Sequence, residues 1–263
     1  MKLKGVDVVS DLEYARPGGQ PLLLDLYRPA GVDRPPVVAY FHGGGWASGS
    51  RSDWAAERAG AVARHGVAVA SVQYRLTGTA PFPAQIDDAR SAITWLRGSA
   101  IRLALDSRRV GAWGASAGGH LAALLGMCPS SGDRAADAVV TWFAPLDICS
   151  ARARTPLETV AIGEPRENRV IVDDDSMTGD PLLQITSQAA PFHLFHGDRD
   201  QMINYTVASR FHDRLVAAGV PSQFTLLGGL GHEDPHFHQA HIITSVAGFF
   251  QHTLTASASE DKS

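Results

Sequence analysis

The chain has 263 residues, of which 44% are hydrophobic and 19% charged, which is typical of one large globular domain or two small ones. Its formal net charge is −4 and it has no block of lysine and arginine, which argues against a nucleic-acid or anionic-membrane partner. No run approaches the roughly 18 apolar residues of a membrane span, and residues 1–7 lack the apolar segment of a leader. We therefore expect a cytoplasmic protein, or a mature chain whose leader has been removed.

Cysteine and histidine usage adds two further expectations. The two cysteines, Cys128 and Cys149, lack metal-ligand spacing and are expected to be free buried thiols, although a disulfide between them stays open. The eleven histidines predict sensitivity to mild acid, because an unperturbed imidazole gains its charge near pH ~6.5. No metal or other cofactor is indicated, and a homodimer remains open.

Eight short segments predict strands: 6–10, 22–27, 37–41, 67–72, 110–113, 138–143, 191–195 and 222–227. The first two flank a Pro-Gly-Gly turn and suggest an antiparallel opening. The run at 37–41 is apolar throughout, which is typical of a strand buried on both faces of a sheet, and 67–72 is the next buried strand.

Helices are expected between these strands, over 53–65 (N-cap Ser52 or Asp53), from Pro83 onward, over 120–125, about 204–218 and roughly 236–254. The helix after Pro83 has an apolar stripe that includes Ile86 and Leu96 and leaves out Asp87 and Asp88. Buried strands that alternate with helices predict an α/β fold with a mostly parallel sheet covered on both faces.

The pattern indicates a single domain over residues 1–254. Residues 148–185 are less regular, and we expect them to form a small, partly helical cap, because long loops in compact domains usually cover a site. The alternative is a solvated insertion without a role. The polar segment 255–263 is expected to be a disordered tail.

The segment from Gly114 to His120 reads Gly-Ala-Ser-Ala-Gly-Gly-His and joins an apolar strand to a helix of small residues. A Gly-x-Ser-x-Gly pattern in this setting predicts a sharp turn that lifts the hydroxyl of Ser116 above the sheet. A glycine two residues to either side keeps the turn free of clashes. The pattern alone is weak evidence, since glycine-rich loops are common after strands.

Two later strand ends supply the partners that a serine nucleophile needs. Serine is a poor nucleophile unless a base accepts its proton, and the base needs an acid to orient it. Asp200 follows the strand at 191–195, and His232 follows the strand at 222–227. The carboxyl ends of strands meet at one edge of such a sheet, so we expect Ser116, Asp200 and His232 to form a catalytic triad.

Two other aspartates compete with Asp200 for the role of the acid. Asp198 lies closer to its strand and is expected to cap the turn. Asp147 ends the neighbouring strand, and could serve as the acid in a variant arrangement.

The oxyanion of a tetrahedral intermediate needs fixed N–H donors. The backbone N–H of Ala117, directly after the serine, is the first expected donor. Gly43 and Gly44, in the loop after the strand at 37–41, are the other two, because glycine lets the backbone approach the substrate oxygen. His42 is expected to fix this loop by hydrogen bonds.

Several aromatic and titratable residues have two readings. Trp46 is expected to line the substrate pocket or to wedge the oxyanion loop, and Trp54 and Trp142 are weaker pocket candidates. His120 is expected to pack behind the site, and Glu233 and Asp234 to cap the last helix. The spacing of the three histidines that follow invites a metal site, but no carboxylate or cysteine set completes it: His236, His238 and His241.

These motifs occur in the order typical of a known group. The segments His42–Trp46, Tyr74–Leu76, Phe82–Gln85, Gly114–His120 and His196–Asp200 resemble the hormone-sensitive-lipase-like and bacterial feruloyl/acetylxylan-esterase-like branches of the α/β-hydrolase superfamily. The resemblance spans about residues 6 to 250. It implies an eight-stranded sheet and a cofactor-free serine hydrolase of small carboxylic esters.

Carried over position by position, the resemblance implies Ser116 as the nucleophile, Asp200 as the acid and His232 as the base, with an oxyanion hole of Gly43, Gly44 and Ala117. The lipase-like branch usually has an acidic residue before the serine. Here that residue is Ala115, which points to the shorter, feruloyl/acetylxylan-esterase-like branch.

Three hypotheses follow for the function. The first is hydrolysis of small carboxylic esters through an acyl-enzyme. The second keeps the same residues but changes the reaction, to formamide or amide cleavage or to acyl transfer in a biosynthetic pathway. The third is a hydrolase-like binding protein without activity, against which the complete triad argues.

Overall fold

A computed structural model describes residues 3–127, 134–148 and 179–255. Its strands are β1 (Val6–Ala15), β2 (Leu22–Pro29), β3 (Pro36–Phe41), β4 (Ala68–Val72), β5 (Asp106–Ala115), β6 (Ala138–Trp142), β7 (Phe192–Gly197) and β8 (Ser222–Leu227). The α-helices of the described ranges are α1 (Ala59–Ala63), α2 (Ala84–Leu103), α3 (Ala117–Gly126), α4 (Thr206–Ala217) and α5 (Ala240–Thr255). Short 3₁₀ helices lie at Pro17–Gly19, Pro181–Gln184 and Pro235–His238.

The strands form one sheet in the order β1-β2-β4-β3-β5-β6-β7-β8. β1 pairs with β2, and β2 with β4, in the antiparallel sense. All later neighbours are parallel. The eight-stranded, mostly parallel sheet with an antiparallel opening is therefore confirmed, and with it the α/β-hydrolase fold.

Helices cover both faces of the sheet, as the alternating pattern predicted. α2, α3 and α4 bury side chains such as Ile86, Leu121 and Phe211 on one face. α1 and α5 bury Val62 and Phe250 on the other. Each such side chain contributes about 2 kcal/mol through removal of apolar surface from water. Both cores hold the central strands in place, and these strands carry the site.

The helix expected over 53–65 is much shorter, because only Ala59–Ala63 is α-helical. Trp54 has a φ of +53°, which a right-handed helix does not allow. Asp53 does not cap the helix but accepts hydrogen bonds from the backbone N–H and the hydroxyl of Ser50, 2.9 Å each, and so closes a turn.

Asp88 was expected on the solvent side of α2, but it is buried. Its carboxylate accepts hydrogen bonds from the backbone N–H of Arg75 at 2.9 Å and from the Arg75 guanidinium at 2.7 Å. A buried carboxylate is stable only when it is paired in this way. The pair fixes the segment after β4, in which Tyr74 donates from its hydroxyl to the carbonyl of His42 at 2.9 Å.

The last α-helix begins at Ala240 rather than near 236, because Pro235–His238 forms a 3₁₀ helix and Gln239 is extended. It ends at Thr255, which the sequence had assigned to the tail, and the rest of the expected tail, 256–263, lies outside the described residues. Most of the expected cap, 149–178, also lies outside them, as do both cysteines. None of the helices in the described ranges has the length and hydropathy that a membrane crossing needs.

Candidate active site

The carboxyl ends of four parallel strands, β3, β5, β7 and β8, lead to the predicted site residues. β3 leads into the loop that begins at His42, and β5 leads directly into Ser116. β7 and β8 are followed by the loops that hold Asp200 and His232. Because β3, β5, β6, β7 and β8 are consecutive in the sheet, these loops meet at one edge.

The turn at Ser116 is sharp and depends on its glycines. Ser116 has φ 51° and ψ −120°, a conformation that L-residues rarely adopt. A Cβ on Gly114 would lie 2.1 Å from the carbonyl oxygen of Gly118, and a Cβ on Gly118 would lie 2.0 Å from that of Phe41. Neither position has room for a side chain, so the close approach of β3, β5 and α3 requires glycine there.

His232 joins the other two predicted residues. Its Nε2 lies 2.9 Å from Ser116 Oγ, and its Nδ1 lies 2.8 Å from Asp200 Oδ2. The carboxylate accepts only, so Nδ1 carries the proton and Nε2 is free to accept one from the hydroxyl. The structure thus brings Ser116, His232 and Asp200 into one hydrogen-bonded row.

A second histidine reaches the same carboxylate oxygen, which the sequence analysis missed. His196 Nε2 lies 3.1 Å from Asp200 Oδ2 and 2.9 Å from the carbonyl of Ile203, and its side chain is fully buried. Both partners are acceptors, so this nitrogen carries the proton. The other carboxylate oxygen, Oδ1, accepts from the backbone N–H groups of Met202 and Ile203, 2.9 Å each.

These contacts decide the charge of Asp200. Burial acts to raise the pKa of this carboxyl, but the hydrogen bonds from His196, His232 and the Ile203 N–H outweigh burial. Together they hold the pKa of Asp200 well below its usual range, because each stabilises the charged form. Asp200 is therefore an anion over the whole range in which proteins are usually assayed.

The loop after β3 lies against the serine. A Cβ on Gly43 would lie 3.4 Å from that of Ser116, and a Cβ on Gly44, whose φ is +114°, would lie 2.2 Å from the carbonyl of Ser48. The N–H groups of Gly43, Gly44 and Ala117 donate no hydrogen bond within the described part of the chain. Three backbone N–H groups next to Ser116 therefore have no hydrogen-bond acceptor among the described residues.

His42 is packed behind this loop. Its ring stacks on Tyr74 at 4.4 Å between centroids, and its Nδ1 lies 2.7 Å from the carbonyl oxygen of Gly43. Burial lowers the pKa of His42, which keeps the ring neutral at neutral pH. Its contacts are those of a residue that holds the loop in place.

The two competing aspartates have other partners. Asp198 Oδ1 accepts from the backbone N–H of Gly229 at 2.6 Å, and so ties the Asp200 loop to the loop that carries His232. Asp147 is buried and lies 2.9 Å from Arg210.

Trp46, the expected substrate contact, is buried with 4% of its surface exposed and does not line the cavity described below. Its ring meets His120 edge-on at 5.2 Å, and Thr77 donates to its carbonyl at 2.9 Å. It packs under the loop after β3.

His120 Nε2 is 2.5 Å from the carbonyl of Gly179, and burial lowers the pKa of His120 to about 4.

Arg58 is a second feature that the sequence analysis missed. This arginine is 2% exposed and donates to Tyr40 Oη at 2.6 Å and to His238 Nε2 at 3.0 Å. It also donates to Glu233 Oε2 at 3.3 Å, so Glu233 pairs with Arg58 instead of capping a helix. Asp234 does cap the 3₁₀ helix, since its side chain accepts from the N–H of His236. Nothing in a single sequence marks Arg58, because its partners come from distant segments.

A cavity of about 460 Å³ opens beside Ser116 and His232. Such a volume suits a small organic ligand. The described residues hold no group of three His, Cys, Asp or Glu side chains arranged as metal ligands would be. The remaining cavity wall includes Gly43, Gly44, Trp54, Arg58, Met202 and Glu233.

Comparisons with known proteins show the family of this chain. The family model BD-FAE matches residues 24–215. The ethyl acetate hydrolase of Pseudomonas putida is 30% identical over 245 residues, which cover 86% of this chain and 76% of that protein. Esterase LipC of Mycobacterium tuberculosis is 31% identical over 229 residues, which cover 80% of this chain and 56% of that protein. The chain spans about half the length of the first mycobacterial relatives it matches.

Among solved structures, a truncated form of a carbohydrate esterase from gut microbiota superposes with a TM-score of 0.82. It is 24% identical, and the match covers 95% of this chain and 97% of that one. At this identity the likeness concerns the fold.

Proposed function

The chain belongs to the BD-FAE family of α/β-hydrolases, and on that premise we propose that it is a serine hydrolase that cleaves small carboxylic esters through an acyl-enzyme. In this proposal Ser116 is the nucleophile, His232 the general base and Asp200 the acid that orients the base. Gly43, Gly44 and Ala117 supply the oxyanion hole. The esterase and ethyl acetate hydrolase names of the relatives support an ester as the substrate.

One observation carries the proposal: the His232 ring is hydrogen-bonded at both nitrogens, to Ser116 Oγ at 2.9 Å and to Asp200 Oδ2 at 2.8 Å. A serine hydroxyl reacts only when a base takes its proton as the new bond forms. The base must present a free nitrogen to the hydroxyl, and the carboxylate on its other side ensures this by fixing the tautomer.

Acylation follows from this arrangement. Ser116 Oγ attacks the ester carbonyl carbon while its proton passes to His232 Nε2, and the carbonyl oxygen becomes an oxyanion. The free N–H groups of Gly43, Gly44 and Ala117 stabilise that charge. The intermediate then collapses, the bond to the alcohol oxygen breaks, and His232 returns the proton to this leaving group.

Deacylation repeats the steps with water as the nucleophile. His232 takes a proton from water as the water oxygen attacks the acyl carbon, and then protonates Ser116 Oγ as the acid departs. The imidazolium form arises in both halves of the reaction. Asp200, held ionised by its four hydrogen bonds, stabilises this form without taking a proton itself.

The first experiment compares wild-type protein with Ser116→Ala on p-nitrophenyl butanoate. We expect turnover to fall by about 10⁴-fold or more, since the nucleophile is lost, while circular dichroism shows an unchanged fold. Ser91→Ala is the matched control, because the hydroxyl of this exposed serine on α2 donates to the carbonyl of Asp87 and has no other hydrogen bond among the described residues. Full activity of Ser116→Ala would refute the proposal.

A substrate panel separates this function from its alternatives. An acyl-enzyme can also form from an N-formyl amide, or pass its acyl group to an alcohol or amine, and the same triad serves each reaction. We expect short-chain p-nitrophenyl esters to exceed N-formylkynurenine in kcat/KM. A clear preference for the formamide would overturn the ester assignment, and a folded protein with no turnover of any substrate would favour a binding role.

A further inference from the structure

The residue after the proposed base has an unusual backbone. Glu233 follows His232 directly and has a φ of +56°, in the left-handed region that favours glycine. A side chain at such a position is strained and persists only where its surroundings hold it. What holds Glu233 is therefore informative about the site.

Arg58 holds one of the two carboxylate oxygens of Glu233. The pair joins Arg58 Nη2 to Glu233 Oε2 at 3.3 Å, longer than the 2.7–2.9 Å usual for a charge-assisted hydrogen bond. Arg58 also donates hydrogen bonds to Tyr40 and His238, so its N–H groups are divided among three side chains. Its side chain is 2% exposed, whereas that of Glu233 is 36% exposed. Of the pair, the carboxylate faces the open space of the cavity.

The other oxygen lies against Gly43, in the loop next to Ser116. Glu233 Oε1 is 3.0 Å from the point where a Cβ on Gly43 would stand, and Ser116 Cβ is 3.4 Å from the same point. Oε1 accepts no hydrogen bond from the described part of the chain. A carboxylate oxygen with free acceptor capacity thus borders the loop that carries the proposed oxyanion donors, on the same cavity wall as Ser116.

The other charged side chains of the cavity wall have hydrogen-bond partners on all the groups described below. Asp53 also lines the cavity, but its two oxygens accept from the N–H and the hydroxyl of Ser50. Arg58 is engaged with three partners. Glu233 Oε1 is therefore the one carboxylate oxygen of the described cavity wall that accepts no hydrogen bond from the described residues.

We infer that Glu233, held in place by Arg58, is a specificity residue that favours esters with a cationic group, an ammonium, close to the ester bond and disfavours esters with an anionic group there. This inference rests on the proposed function, because it assigns a substrate class to the same site. An ammonium can donate to Oε1 and is attracted by the negative charge, while a carboxylate is repelled. Trp54, which is 44% exposed, lies on the same wall.

The test uses esters of matched shape that differ in charge. Ethyl β-alaninate, ethyl butanoate and monoethyl succinate carry a cationic, a neutral and an anionic acyl group. Choline butanoate and 3,3-dimethylbutyl butanoate place the same contrast in the alcohol. We expect wild-type kcat/KM to be about tenfold higher for the cationic ester than for its partners in one of the two series. That series shows whether Glu233 lies beside the acyl group or the alcohol group of the bound ester.

Glu233→Gln then assigns the preference to this residue. Glutamine keeps the volume and an oxygen that can accept from Arg58, while it removes the charge and replaces the second oxygen by an amide donor. We expect the cationic-to-neutral ratio of kcat/KM to fall about tenfold toward unity. Asp234→Asn is the matched control, since the neighbouring carboxylate lies outside the cavity wall and bonds to His236. It should leave the ratio as in the wild type.

The outcomes separate this inference from the proposed function. Hydrolysis of ethyl butanoate without any charge preference would overturn the inference alone. An equal cationic-to-neutral ratio of kcat/KM in wild type and Glu233→Gln would also overturn the inference alone. This holds even if the variant is less active on all esters by the same factor. Absence of turnover for every ester, in a folded wild-type protein, would refute the proposed function and the inference with it.

Discussion

His196 and Asp200 are hydrogen-bonded inside the protein, with His196 Nε2 3.1 Å from Asp200 Oδ2 and neither side chain exposed to solvent. The same oxygen accepts from His232 at 2.8 Å. Two imidazole N–H groups thus converge on one carboxylate oxygen, while two backbone N–H groups hold the other. Asp200 can neither rotate nor gain a proton easily, and this fixes the direction in which it points at His232.

His196 is therefore expected to act as a positioning residue. His196→Phe removes a hydrogen bond to a charged group, which is worth about 1.5–3 kcal/mol, so we expect kcat to fall roughly tenfold to hundredfold. KM should change little, since His196 does not line the cavity. Steady-state kinetics with p-nitrophenyl butanoate measure both constants.

His196→Gln is the conservative partner of that variant. Its amide can donate to Asp200 from nearly the same position, so it should recover most of the lost kcat. Equal kcat for wild type, His196→Phe and His196→Gln, with all three folded, would show that the contact has no part in positioning Asp200.

The stability of the protein should depend on pH in mild acid. Burial lowers the pKa of His120 to about 4 and, likewise, that of His193 to about 4. In the unfolded chain the same groups take up protons near pH ~6.5. The unfolded state thus binds more protons between about pH 6.5 and 4, so the free energy of unfolding is greatest above this window and declines as the pH falls through it.

Urea denaturation at several pH values between 7.5 and 4.5 measures this decline. His120 alone accounts for about 3 kcal/mol across the full window. His120→Gln keeps a donor for the carbonyl of Gly179 but cannot titrate, so its stability should fall less steeply. Parallel curves for the variant and the wild type would contradict the assignment of the decline to His120.

The turn at Ser116 should not tolerate a methyl group. A Cβ on Gly114 would overlap the carbonyl of Gly118 at 2.1 Å, and both belong to packed backbone that cannot move aside. We expect Gly114→Ala to lower the free energy of unfolding by about 4 kcal/mol or more, if the variant folds at all. Thermal and urea unfolding report this loss.

Gly98→Ala is the matched control for that substitution. Gly98 lies within α2 with nothing within 4 Å of an added Cβ, so alanine should stabilise the helix by about 0.5–1 kcal/mol. The two changes add the same methyl group with opposite expected signs. A mild effect at Gly114 would mean that the turn relaxes, contrary to the packing seen here.

The sheet and the row of site residues could be predicted from the sequence because they depend on local patterns. Apolar runs mark buried strands, and a polar residue directly after each run must lie at the edge where strands end. Ser116 follows its strand directly, Asp200 and His232 lie in the loops after theirs, and the structure brings the three together.

Contacts between distant segments could not be predicted. Arg58 and Glu233 are far apart in the chain, and their pairing depends on how α1 packs beside the loop after β8. Asp88 was misassigned for the same reason, because its partner Arg75 lies on another segment. For Trp46 the sequence left two readings open, a pocket wall or a wedge under the loop, because side-chain type does not reveal a backbone φ of +59° or the edge-on contact with His120.

Covalent labelling tests the central claim most directly. The wild-type protein is treated with a fluorophosphonate, which reacts with serines activated by a neighbouring base, and the labelled peptide is identified by mass spectrometry. The account predicts one adduct per chain, on Ser116, with loss of ester hydrolysis in proportion to labelling, and no adduct on Ser116→Ala. Labelling of another residue, or full esterase activity after Ser116 is modified, would contradict it.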